Sequence, residues 1–154
     1  MSGAPARDKL AELGLKLPAV VAPLASYVPA VQSGNHVYVS GQLPIVDGQL
    51  VATGKVGADV APERAAELAR QCALNALAAV DSLVGLERIV KVVKVVGFVA
   101  SAEGFTGQPG VINGASELFG AVFGEAGRHA RSAVGVAELP LGAPVEVEAI
   151  FEVS

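Results

Sequence analysis

Val145-Glu146-Val147-Glu148-Ala149-Ile150-Phe151-Glu152-Val153 is the stretch that decides the fold. Successive side chains of a strand point to opposite faces, so this segment sends its three glutamates one way and Val147, Ala149 and Phe151 the other. Such a strand needs neighbours on both edges and an apolar layer under one face. Upstream, Ala133 to Leu139 reads as another strand. Pro140-Leu141-Gly142-Ala143-Pro144 reads as a turn joining the two into an antiparallel pair.

The layer comes from two helices. Pro109 opens one, with Val111, Ile112, Ala115, Leu118, Phe119, Val122 and Phe123 on one face and Gly124 and Gly127 as its stop. Pro62 opens the other, Glu63 sits at its positive end, and Ala65, Ala69, Cys72, Ala76, Leu77, Val80 and Leu83 form a stripe that ends near Gly85. Between them Arg88 to Ala100 is β-branched, with Val92, Val93, Val95 and Val96 on both faces, as in a central strand covered on both sides. Val28 to Ser40 reads as two strands around Ser33-Gly34-Asn35, and Asp47-Gly48 marks a tight turn between Ile45-Val46 and Leu50-Val51. The order is β-β-β-α-β-α-β-β after a short helix over Arg7 to Leu15. This predicts an α+β chain with one mixed, mostly antiparallel sheet and both long helices on one face. Residues 1–26 form an N-terminal extension with the short helix, and residues 27–154 form a single domain.

The 154 residues are 52% hydrophobic and 17% charged, leaving little polar material to cover a monomer, so subunit association through the other sheet face is expected. Apolar runs are broken by Lys91 and Lys94 or by Gly and Pro, which excludes a membrane helix, and Arg7, Asp8, Lys9 and Glu12 leave no room for a secretory h-region. A cytoplasmic protein is expected. Cys72 is alone and falls on a helix stripe, and His36 and His129 lack partners at metal-ligand spacing, so neither a disulfide nor a metal site is expected. The net charge of -4 and pI near 5.1 weigh against nucleic acid as a partner. Ser40-Gly41-Gln42 is no nucleophile elbow, and the scattered glycines form no phosphate loop.

Chemistry is left to two places. Gly127-Arg128-His129-Ala130-Arg131-Ser132 puts three basic side chains just before a strand in a chain poor in them. Arg131 or Arg128 either anchors a small carboxylate through its planar fork of donors or is a surface arginine paired with Glu125 or Glu138. In the last strand, one glutamate either lies partly buried near an arginine, where its raised pKa lets it act on a water, or all three are solvated.

Val39-Ser40-Gly41-Gln42-Leu43-Pro44, Val111-Ile112-Asn113, Ala130-Arg131-Ser132-Ala133-Val134, Leu139-Pro140 and Val145-Glu146-Val147-Glu148-Ala149-Ile150, in this order, resemble the RidA/YjgF family, also called reactive intermediate deaminase A or endoribonuclease L-PSP. The likeness runs from about Tyr27 to Val153. It implies a chorismate-mutase-like fold, a homotrimer with a barrel core, and clefts between subunits where 2-imino or 2-enamino acids are hydrolysed without a cofactor. By the same resemblance Arg131 clamps the substrate carboxylate, Glu146 positions or activates the attacking water, and Tyr27, Ser40, Gly41 and Asn113 line the cleft. Ala133 stands where many active members carry cysteine. Ser26 precedes Tyr27 in place of Gly-Pro. The N-terminal helix and the longer segments at Gly54 to Gly57 and Gly104 to Pro109 resemble a longer, divergent branch. Two alternatives accompany the deaminase: a non-catalytic binder of keto acids or other small carboxylates, and, last, an endoribonuclease or translation inhibitor.

Overall fold

In chain order the computed structural model, which describes residues 3–154, contains α1 (Gly3–Glu12), β1 (Ala30–Ser33), β2 (His36–Gln42), β3 (Ile45–Val46), β4 (Gln49–Leu50), α2 (Pro62–Leu83), β5 (Ile89–Ala100), α3 (Gln108–Phe123), β6 (Ala130–Val136) and β7 (Val145–Val153). Five strands form one sheet in the order β1-β2-β7-β5-β6, antiparallel except for the parallel pair β5 and β6. The Asp47-Gly48 turn forms as expected: both residues have positive φ, 52° and 77°, and they join β3 to β4 as a separate two-stranded ribbon.

The strand pairing expected at the C-terminus is different. β6 and β7 do not form a hairpin, because β5 lies between them. The β5-α3-β6 crossover lays β6 parallel to β5 at one end of the sheet, and β7 takes the opposite edge of β5, where it also pairs with β2. The Pro140–Gly142 helical turn, with Leu141 at φ 60° and Gly142 at φ 74°, reverses the chain on the way across. β6 also starts at Ala130, earlier than the sequence suggests, and so takes Arg131 into the sheet.

α2 and α3 cover one face. Val37, Val92, Val95, Val99, Val147 and Phe151 meet Leu68, Leu77, Ile112 and Phe119 there, all at most 2% exposed. Each such side chain removed from water contributes about 1.5–3 kcal/mol. Gly97 lets α3 lie close to β5, since a Cβ at that position would overlap Ile112. α1 ends at Glu12, short of the expected Leu15, as Gly14 turns the chain at φ 72°. Ala6 and Leu10 of α1 join the core, whereas Leu13 is exposed.

Among the described residues no helix covers the other face of the sheet. Val31, Tyr38 and Val134 on it are 49%, 44% and 44% exposed, with Val96, Phe98 and Ile150 half-buried between them. β5 is therefore covered on one side only, and an apolar face of this kind marks an association surface. No helix among the described residues is long and apolar enough to cross a membrane.

Candidate functional site

The pairing of β6 with β5 sets Arg131 beside Val95 and Ala133 beside Gly97, on the face that α3 covers. Asn113 and Ser116, three residues apart on α3, share a helix face that meets β6. Arg131 Nη1 donates to Asn113 Oδ1 at 2.8 Å and to Ser116 Oγ at 3.2 Å, and Nη2 donates to the Pro109 carbonyl at 3.3 Å. These bonds use both protons of Nη1 and one of Nη2. The Nε proton and the second Nη2 proton remain, and together they form a fork of the kind that can receive a carboxylate bidentately. Among the described residues no carboxylate pairs with Arg131: Glu125 meets Arg128 at 3.5 Å and Glu138 meets Lys55 at 3.0 Å. The surface pairing considered from the sequence thus falls to Arg128. Behind Ser116, His129 Nε2 lies 2.9 Å from Ser116 Oγ, and its Nδ1 lies 2.7 Å from the Gly127 carbonyl. The imidazole stands edge-on to Phe119, with centroids 6.1 Å apart.

A second group forms around Glu146. Its β7 neighbours Val145 and Val147 face the helices, so Glu146 faces away from them. β2 is irregular between Val39 and Gln42, and this brings Gly41 against the Glu146 side chain, where a Cβ would overlap the carboxylate. The two line a cavity of about 50 Å³ together with Val21, Leu24, Tyr27 and Leu43. Burial, and then the neighbouring Glu148, raise the Glu146 pKa above the ordinary glutamate value. Tyr27 Oη accepts from the Leu24 amide at 3.1 Å, so its own proton stays free to donate. Ser40 Oγ donates to the Val28 carbonyl at 2.6 Å, holding the Tyr27 segment against β2. Behind Leu43 and Ile45, which line the cavity, buried Asn75 of α2 donates to their carbonyls at 3.0 and 3.1 Å, and Gln71 donates to Asn75 Oδ1 at 3.0 Å.

The residues singled out in the sequence therefore separate into two groups. Tyr27, Gly41 and Glu146 share the cavity with Ser40 beside it, whereas Arg131, Asn113 and Ala133 gather under α3. The groups lie on opposite faces of the sheet, with β5 running between β7 and β6. Sequence reasoning missed Ser116, the Pro109 carbonyl and Asn75, and it named His129 only among the basic side chains before the strand, not behind Ser116. One signal was there to read: His129 precedes Arg131 by two, which on an extended chain puts both on one face. Among the described residues no three His, Cys, Asp or Glu side chains converge as metal ligands, and Cys72 is fully buried, its thiol pKa raised well above normal by desolvation.

Comparison with known proteins matches residues 18–153 to the family model described as Endoribonuclease L-PSP. Protein TCP17 of Trypanosoma cruzi is 48% identical over 147 residues, 94% of this chain and 92% of that protein. The 2-iminobutanoate/2-iminopropanoate deaminase of Escherichia coli K12 is 37% identical over 135 residues, covering 86% of this chain and 89% of the relative. Among solved structures, an Agrobacterium tumefaciens protein of unknown function superposes with a TM-score of 0.91 at 47% identity, covering 99% of this chain and 94% of its own.

Proposed function

The chain belongs to the endoribonuclease L-PSP (RidA/YjgF) family, and from that premise we propose that it hydrolyses small 2-imino or 2-enamino acids to 2-keto acids and ammonia, in clefts between the subunits of a homotrimer. The observation that carries this reading is the Arg131 guanidinium, pinned by uncharged acceptors with one donor edge left open. Such a fork matches the carboxylate of a small acid and fixes the plane of the adjoining C=N bond.

Glu146 supplies the other half of the chemistry. A protonated imine carbon is already electrophilic, so the reaction needs a held substrate, one water and a base of moderate strength. The Glu146 carboxylate takes a proton from water as its oxygen bonds to the imine carbon, giving a carbinolamine. The same carboxyl returns the proton to nitrogen, the C–N bond breaks, and the carboxylate passes the hydroxyl proton to the departing ammonia as the C–O bond becomes the ketone. Iminium and water thus yield keto acid and ammonium. No cofactor enters the balance. The cavity beside Glu146, at about 50 Å³, corresponds to roughly three to five waters. Its apolar walls suit a short aliphatic substrate side chain, in keeping with the name of the Escherichia coli relative.

The same geometry supports a trimer. Arg131 and Glu146 lie on opposite faces of one sheet, so a single protomer does not present both to one substrate. Packing the uncovered faces of three copies into a barrel core would bury Tyr38 and Val134 and set the Glu146 cavity of one copy beside the β6 edge of the next. Endoribonuclease action fits poorly with a net charge of -4.

The test generates imino acids in situ from several amino acids with an amino-acid oxidase, with semicarbazide trapping the imine that remains. Keto-acid appearance is then compared for the protein, Arg131→Ala and no protein. Acceleration lost in Arg131→Ala is expected. Equal rates with and without protein would remove the deaminase reading for those substrates; retained keto-acid binding would then favour a carboxylate-binding role.

A further inference from the structure

His129 Nδ1 sits 2.7 Å from the Gly127 carbonyl, which can only accept, so Nδ1 carries the ring proton. In the neutral ring Nε2 then holds a lone pair. Ser116 Oγ, 2.9 Å away, must donate its single proton to it. That leaves the serine oxygen with lone pairs alone, and Arg131 Nη1 donates to them at 3.2 Å. Every bond in the chain Arg131 to Ser116 to His129 to Gly127 therefore runs in one direction. A serine inside a helix would otherwise turn its hydroxyl toward a carbonyl one turn back. The histidine draws it outward instead.

We infer that Ser116 and His129 are positioning residues for the carboxylate clamp, an inference that rests on the carboxylate reading of Arg131. Together with Asn113 they occupy both protons of Nη1, so the guanidinium cannot rotate that edge toward the ligand. The open edge of Nε and Nη2 is what remains to face it. The relay also explains why His129 is half-buried against Phe119 while its ring nitrogens remain satisfied.

Isothermal titration with 2-oxobutanoate, and with 2-oxobutanamide as the uncharged control, separates positioning from general structural damage. Ser116→Ala and His129→Phe, the latter keeping a ring beside Phe119, should each weaken 2-oxobutanoate binding about tenfold. Neither should change the affinity for the amide. Ser116→Thr, which keeps a hydroxyl, should recover most of the loss. If Arg131→Ala loses 2-oxobutanoate while Ser116→Ala and His129→Phe bind it as the unaltered protein does, the positioning role is wrong and the clamp stands. If Arg131→Ala binds normally, or the unaltered protein does not bind 2-oxobutanoate, the carboxylate reading fails and this inference with it. Equal weakening toward acid and amide would reduce Ser116 and His129 to a structural role and overturn the inference.

Discussion

Replacing Gly41 by alanine is a small change with an uneven effect. A Cβ built on Gly41 stands 2.8 Å from Glu146 Cδ and 3.2 Å from Cγ, and overlaps Oε2. The carboxylate must therefore move by about 1 Å, a displacement that can cost on the order of a hundredfold in rate when the group is the one acting on the reacting atoms. Folding should hardly notice. Gly41 has no positive φ, so alanine suits its backbone, and the overlap falls on the far end of a flexible side chain that a change of rotamer relieves. The expected cost is under about 1 kcal/mol, a melting shift of at most roughly 2–4 °C for a chain of this length. Thermal melting and in-situ imine hydrolysis on one preparation separate the two effects. In Gly41→Ala, kcat should fall about a hundredfold with KM and the melting temperature nearly unchanged. Wild-type kcat in a folded Gly41→Ala variant would refute the placement of Glu146 at the chemistry.

Other consequences follow from the same contacts. The folded pKa of Glu146 is raised, so the group favours the folded state below the ordinary glutamate pKa, and this contribution is lost as pH rises through the folded value. Glu146→Gln should therefore melt higher than the unaltered protein at pH 7, with the difference closing in acid, while turnover is lost; a lower melting point at pH 7 would contradict the burial argument. The acid limb of kcat against pH should lie above the ordinary glutamate range for the same reason. Asn75 is fully buried, and Asn75→Ala removes its hydrogen bonds to the Ile45 carbonyl and to the Leu43 carbonyl, which keeps only the Ile45 amide; calorimetry should record a loss of about 1–3 kcal/mol and a melting point lower by roughly 2–12 °C. Val134→Lys puts a charge on the uncovered sheet face, and sedimentation should find this variant monomeric and the unaltered protein trimeric.

How far the sequence could be read depended on whether the deciding contact was local. The alternation from Val145 to Val153 and the stripes of α2 and α3 are local, and they led to the sheet, its helical layer and the uncovered face. The partner of β6 is not local: Pro140 to Pro144 looks like a hairpin turn, and only the crossover through α3 makes β5 the neighbour. The glutamates show the same limit. Period two treats Glu146, Glu148 and Glu152 alike, and it takes the irregularity in β2, which brings Gly41 across from another strand, to single out Glu146. Family resemblance supplied that residue from the motif. It offered nothing for Ser116 and His129, whose pairing exists only because α3 packs on β6.

The central claim is that Arg131 of one copy and Glu146 of another act on one substrate, and mixing two inactive chains tests it most directly. Arg131→Ala and Glu146→Gln homotrimers should each be inactive. Unfolded together in equal amounts and refolded, they should form mixed trimers in which about a quarter of the clefts receive an intact Arg131 from one copy and an intact Glu146 from its neighbour. Imine hydrolysis should return to about a quarter of the wild-type rate. Mixed trimers with no activity, from variants shown to co-assemble, would contradict the shared cleft.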